Sequence, residues 1–306
     1  MKRHAVAALI AAAALAAACS DTSSSPSTSG APTTSAVTTT TQPATTTTDT
    51  STTSTSTSTT TTSTTTSTTV APTVPPTVVP PTTRPPVTTS PTTAPPSGSR
   101  SVAVHRLPTS SKVVALTLDA GSDVGYTDLI LDTLAAKGVA ASFGVTGEFA
   151  AAHPDQVRRM AREGHTVMNH TYRHYSYTGV SSTKVLLSAA DRQADLDRAD
   201  AVLAPLIGRT TKPFWRPPYG DYNTSVLDDV GAIGYRYTVM WTFDSLGWKG
   251  LTVDQIVARV FERIEPGAIV VMHVGSQSQD GPALARIIDG LRDRGYSFTT
   301  ISNAFG

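Results

Sequence analysis

The chain has 306 residues, with 24 Lys and Arg against 23 Asp and Glu, so its formal charge is +1. A near-neutral chain without a basic tract is a poor partner for polyanions, which excludes nucleic acid from the expected ligands. All seven Phe, nine Tyr and three Trp lie at Tyr126 or beyond, so only the later part of the chain has the aromatic surface that a large core needs.

Lys2 and Arg3 precede an apolar run from Ala5 to Ala18. A charged start followed by a short apolar run reads as a secretory signal peptide over residues 1–18; the run is too short to cross a bilayer comfortably. It stops at Cys19, the single cysteine, which excludes an internal disulfide. Leu15-Ala16-Ala17-Ala18-Cys19 resembles a bacterial lipobox, with Ala16 where Leu is usual. A lipid anchor on Cys19 is therefore expected, placing the protein on the extracellular face of a bacterial membrane. Cleavage after Ala18 would instead release a secreted protein.

Residues 19–101 read as a disordered tether. Between Ser20 and Ser99 the only charged residues are Asp21, Asp49 and Arg84, in a background of Ser, Thr, Pro, Ala and Val. Without aromatics to bury, such a stretch does not offset the entropy of ordering. Its Thr and Ser runs are candidates for O-glycosylation, and its later Pro pairs favour polyproline II. Fully extended, it would reach on the order of 250 Å; as a flexible coil it would span roughly 50 Å.

Residues 102–306 suffice for one domain of barrel size. Strands are expected over 112–118, 139–145, 165–169, 213–216, 235–243, 268–272 and 297–301. Helices are expected over 126–137, 154–163, 183–203, 225–233, 253–264 and 282–294, several beginning at Pro or stopping at Gly. Seven strands alternating with six helices imply parallel strands with right-handed crossovers. Periodicity alone fits an open doubly wound sheet and a closed or nearly closed barrel equally. Asp119-Ala120-Gly121-Ser122-Asp123 lacks the G-x-G-x-x-G spacing, which argues against a dinucleotide fold.

Polar residues collect where the strands end: Asp119 after the first, His170 after the third, Arg216 after the fourth, Asp244 after the fifth and His273 after the sixth. In parallel α/β architecture these ends share one face, where barrel enzymes keep their sites. His170 and His174 lie four apart, so both imidazoles would face one ion across a single turn.

Five ordered segments carry a family resemblance. They are Thr117-Leu118-Asp119-Ala120-Gly121, His170-Thr171-Tyr172-Arg173-His174, Arg216-Pro217-Pro218-Tyr219-Gly220, Asp244-Ser245-Leu246-Gly247-Trp248 and Val270-Val271-Met272-His273. Over roughly residues 113–301 the chain resembles the polysaccharide deacetylases, the NodB-homology group or carbohydrate esterase family four. The resemblance implies a distorted (β/α)7 barrel, TIM-barrel-like. It implies Asp119 as general base, Arg216 as its partner, His273 as proton donor to the leaving nitrogen, and a divalent metal on His170 and His174. Tyr219 would supply a backbone N–H to the oxyanion, and Trp248 an apolar wall for the acetyl methyl.

Two positions depart from the family pattern. Ala120 stands where the family has its metal-ligating Asp, and Asp123 in the same loop is the expected replacement. Gly247 stands where the family has the Asp that tunes the catalytic His, and Asp244 is expected to orient His273 instead. Imidazole and carboxylate donors suit zinc, the expected metal, and also cobalt, nickel or manganese. The expected function is removal of N-acetyl groups from an amino-sugar polysaccharide, peptidoglycan or chitin-type, by a monomer. O-acetyl xylan esterase activity and a non-catalytic cell-wall carbohydrate-binding lipoprotein are the alternatives.

Overall fold

The computed structural model describes residues 98–306 apart from 122 and 183–185. The expected signal peptide over 1–18, Cys19 and nearly all of the expected tether lie outside the described residues. The last residues of the expected tether, Arg100 and Ser101, contact the domain. Arg100 pairs with Asp228 through Nε at 2.6 Å, and the buried Ser101 hydroxyl meets that of Thr238 at 2.8 Å.

The described strands are β1 (Val102–Val104), β2 (Val113–Ala120), β3 (Ser142–Val145), β4 (Thr166–Asn169), β5 (Phe214–Trp215), β6 (Tyr237–Val239), β7 (Phe243–Asp244), β8 (Ile269–His273) and β9 (Ser297–Phe298). They lie in the order β1-β6-β5-β4-β3-β2-β8-β7, with β9 also on β2, and every pairing between them is parallel. Around them run α1 (Thr127–Lys137), α2 (Gly147–Ala152), α3 (Pro154–Arg162), α4 (Ala189–Ile207), α5 (Thr224–Ala232), α6 (Val253–Arg263), α7 (Asp280–Asp293) and α8 (Ile301–Phe305). The fold is the distorted (β/α)7 barrel implied by the motifs.

The strand expected over 235–243 is two strands. β6 pairs with β1 and β5 at one end of the sheet, whereas β7 pairs with β8 at the other. Met240 N–H donates to Val104 O, and Thr242 N–H donates to Ile269 O. Residues 240–242 therefore span the two ends and curl the sheet towards closure. Three short elements were not expected: β1, α2 and α8. Each has too few residues for a periodic pattern.

Central strand β2 is buried along Val114 to Leu118, as a parallel strand covered on both faces should be. Ile130, Leu131 and Leu134 of α1 pack against it with Phe143 and Ile287 in one cluster. Each such side chain contributes about 1.5–3 kcal/mol by leaving water. That rigid core fixes the level at which β2, β4 and β8 end. α4 starts at Ala189 rather than 183 because Ser188 and Asp191 form a reciprocal capping box there.

Candidate active site

β2 and β8 end together: Asp119 is the register partner of His273 on one side and of Gly144 on the other. Gly144 matters because a Cβ there would lie 2.5 Å from Asp119 Oδ1. Arg216, fully buried, donates from Nη1 to Asp119 Oδ1 at 2.7 Å and from Nη2 to Thr117 Oγ1 at 2.9 Å. Its Nε donates to Val239 O, so the guanidinium is held by two strands, β2 and β6. Burial pushes the Asp119 carboxyl up, but the charge of Arg216 leads a set of opposing effects that hold it below its ordinary value.

His170 is buried, and its Nδ1 lies 2.9 Å from Arg216 O. A carbonyl only accepts, so Nδ1 carries the proton and Nε2 keeps its lone pair. Nε2 sits 3.7 Å from Asp119 Oδ2. The His174 ring meets the His170 ring edge-on at 4.8 Å. Burial pushes His174 down to about 3, with His170 adding to the effect; burial lowers His170 as well. Both imidazoles are thus neutral donors at neutral pH.

The loop that presents them is strained. Thr171 and His174 have φ of 66° and 57°, Tyr219 at the cavity has 60°, and Leu246, two residues before Trp248, has 62°. Asn169 pins the start of this loop by accepting from Thr171 N–H while donating to Leu196 O and Tyr235 Oη. Such conformations persist only where the surroundings over-determine them.

Asp119, His170, His174, Tyr219, Asp244, Trp248 and His273 line one cavity of about 430 Å³, joined by Gly121 and Trp241. Tyr219 and Trp248 are half exposed at its mouth, and the Tyr219 ring rests on His174 at 4.7 Å. The structure thus brings together seven of the nine residues singled out from sequence, with Arg216 directly beneath Asp119.

Asp123 is not brought in. Its carboxylate accepts from the N–H and hydroxyl of Ser276, on the loop after β8, and is exposed. The expectation that it replaces the missing carboxylate ligand is therefore corrected: it ties two loops together. Among the described residues no three His, Cys, Asp or Glu side chains are grouped to hold an ion. The donors that do fit a divalent cation are the two neutral imidazoles, whose chemistry suits such an ion.

Asp244 lines the cavity, but its carboxylate serves the turn that follows. Oδ1 accepts from Leu246 N–H at 2.7 Å and Oδ2 from Trp248 Nε1 at 2.9 Å. The expected orientation of His273 by Asp244 is corrected accordingly. The carboxylate nearest His273 belongs to Asp280, with Oδ2 3.9 Å from Nδ1. Burial lowers the His273 pKa, yet Asp280, Asp119 and Asp244 together leave it above its ordinary value. Asp280 was not singled out from sequence; the only signal was that Gly247 left a carboxylate missing near His273.

Comparisons with known proteins place the chain among similar ones. A family profile described as polysaccharide deacetylase matches residues 106–238. A peptidoglycan-N-acetylglucosamine deacetylase of Bacillus cereus is 32% identical over 201 residues, covering 65% of this chain and 70% of that protein. A crystallised peptidoglycan N-acetylglucosamine deacetylase aligns with a TM-score of 0.59 and 30% identity, over 66% of this chain and 92% of that one. A CE4 family pseudoenzyme from Bacillus anthracis aligns with a TM-score of 0.59 and 25% identity, over 66% and 68% of the two chains.

Proposed function

This chain belongs to the polysaccharide deacetylase family, and we propose that it hydrolyses the N-acetyl amide of amino-sugar units in a cell-wall polysaccharide, peptidoglycan before chitin-type polymers. The observation that carries the reading is the convergence of Asp119, His170, His174 and His273 on one cavity above the buried Arg216.

Amide hydrolysis needs a base for the attacking water, a stabiliser for the oxyanion and an acid for the leaving amine. Asp119 is kept ionised by Arg216 and accepts the water's proton. His273, one strand away at the same level, carries a proton to the departing nitrogen. Its raised pKa keeps the protonated form populated nearer neutral pH. Tyr219 presents its backbone N–H to the oxyanion from its left-handed turn, and Trp248, fixed through Asp244, walls the acetyl methyl. His170 and His174 would hold a divalent cation, zinc first and cobalt, nickel or manganese as alternatives. When bound, the cation lowers the pKa of water and polarises the carbonyl.

Lys2, Arg3 and the apolar run ending at Cys19 support export and a lipid anchor at the outer membrane face. A domain on a long tether there would reach the wall as a monomer. The deciding experiment is acetate release from N-acetylglucosamine oligomers and from peptidoglycan, with and without added zinc. Zinc-dependent acetate supports the reading. Acetate from acetylated xylan alone would make the chain an esterase, and glycan binding without acetate would make it a non-catalytic binder.

A further inference from the structure

We infer that Asp280 is the positioning residue for His273: its carboxylate holds the Nδ1 edge of the imidazole, leaving the opposite nitrogen to deliver the proton. The inference deepens the deacetylase reading and rests on it.

Two buried polar atoms meet at this place without partners. His273 Nδ1 and Asp280 Oδ1 are both buried, and neither makes a hydrogen bond. Leaving such groups unsatisfied is costly, and native interiors do so rarely. Here the two belong to side chains that face each other, with Nδ1 3.9 Å from Oδ2. A small turn of the ring would bring Nδ1 within hydrogen-bond reach of the carboxylate.

The carboxylate is held in place from three sides. Oδ2 accepts from Ser245 Oγ at 3.0 Å, Ser278 Oγ at 2.8 Å and the backbone N–H of His273 itself at 2.8 Å. Asp280 is the first residue of α7, where the helix dipole favours an anion. Its residue is fully buried. Anchoring through the His273 amide ties the carboxylate to the same residue whose ring it faces.

Gly247 explains how the site accommodates it. A Cβ at 247 would stand 2.7 Å from Asp280 Cγ and Oδ1 and 2.5 Å from Ser278 Oγ. The space beside Gly247 is therefore filled by a carboxylate arriving from α7. Position 247 is the one at which the motif resemblance led us to expect an Asp. Asp244, the other carboxylate on that side, is committed to Leu246 and Trp248.

The groups facing His273 are Asp119 from β2, Asp244 from β7, Asp280 from α7, and the His170 and His174 rings. Burial lowers the His273 pKa, and the three carboxylates, Asp280 first, outweigh it.

The test follows the His273 imidazole in the full chain by NMR titration, with the signal assigned through His273→Gln. Asp280→Asn should lower the His273 pKa by about one unit or more. It should also cut kcat about 10-fold or more, with KM near the wild-type value. Asp244→Asn should move the pKa less. An unchanged His273 titration in Asp280→Asn, or an equal or larger drop in Asp244→Asn, overturns the inference. A purely structural Asp280 would alter stability and leave the ring's pKa where it was. The exchange Asp280→Gly with Gly247→Asp returns a carboxylate to the same space from the other side. It should restore the titration relative to Asp280→Gly alone; a double variant that still titrates like the single one also overturns it. Because the titration does not read acetate, an inactive wild-type chain whose His273 still responds to Asp280 would sink the deacetylase reading and leave this pairing standing.

Discussion

Asp119 and His273 are register partners on the adjacent parallel strands β2 and β8. Neighbouring strands lie about 4.8 Å apart, so the spacing of base and acid is set by backbone hydrogen bonds rather than by loops. The substrate amide then bridges two positions that the core keeps level.

The buried pair beneath the cavity serves both chemistry and folding. Asp119→Asn should lower acetate release by roughly 10²–10⁴-fold, as loss of a positioned base does, and should also lower stability by leaving the buried Arg216 charge unpaired. Arg216→Ala strands the buried Asp119 charge and should cost about 3–5 kcal/mol of stability in urea unfolding. Native stability in Arg216→Ala would show that the pair is not the support described here.

Gly144→Ala tests the room left for the base. The added methyl would lie 2.5 Å from Asp119 Oδ1, so the carboxylate must move. A displacement near 1 Å costs on the order of 10²-fold in rate. Steady-state kinetics should show kcat falling while glycan binding stays close to wild type.

Metal uptake should depend on the two imidazoles and not on Asp123. Zinc at about 100 times its Kd should stabilise the chain by about 2.7 kcal/mol, and a chelator should reverse this. His170→Ala and His174→Ala should each abolish the zinc-dependent shift in Tm, whereas Asp123→Ala should retain it. Loss of the shift in Asp123→Ala would restore that residue as a ligand.

Acid should destabilise the metal-free chain in a defined window. His174 titrates near 6.5 when unfolded and at about 3 when folded. Above 6.5 both states are neutral and its contribution is fully present. As pH falls from 6.5 towards 3, only the unfolded state takes up the proton, so stability declines. His170 shifts in the same direction and reinforces the trend. Asp119, held below its ordinary value, contributes stability above the unfolded carboxylate pKa and loses it at still lower pH. Urea midpoints measured across this range should slope accordingly, and His174→Gln should flatten the upper part of the slope.

Much of the fold was legible because its signals are local. β2 and β8 are short apolar runs, α1 ends at a left-handed Gly138 and α6 opens on the Thr252 capping box, all properties of neighbouring residues. Asp119, His170, Arg216 and His273 were legible for a related reason: parallel strands of matched length deliver their terminal residues to one face whatever the loops do. The division of residues 235–243 into β6 and β7 was not legible, because continuous apolar character does not say that a chain changes pairing partners halfway.

The sequence by itself determined the alternation of strands and helices and most of the polar residues that reach the cavity. Only the tertiary structure decided where the remaining carboxylates point. Asp123 turns to Ser276 across 153 positions of sequence, and Asp280 enters the space beside Gly247 from a helix that begins 33 residues further on. A side chain on a loop takes its direction from whichever distant donor the fold places within hydrogen-bond reach, and no pattern along the chain encodes that distance.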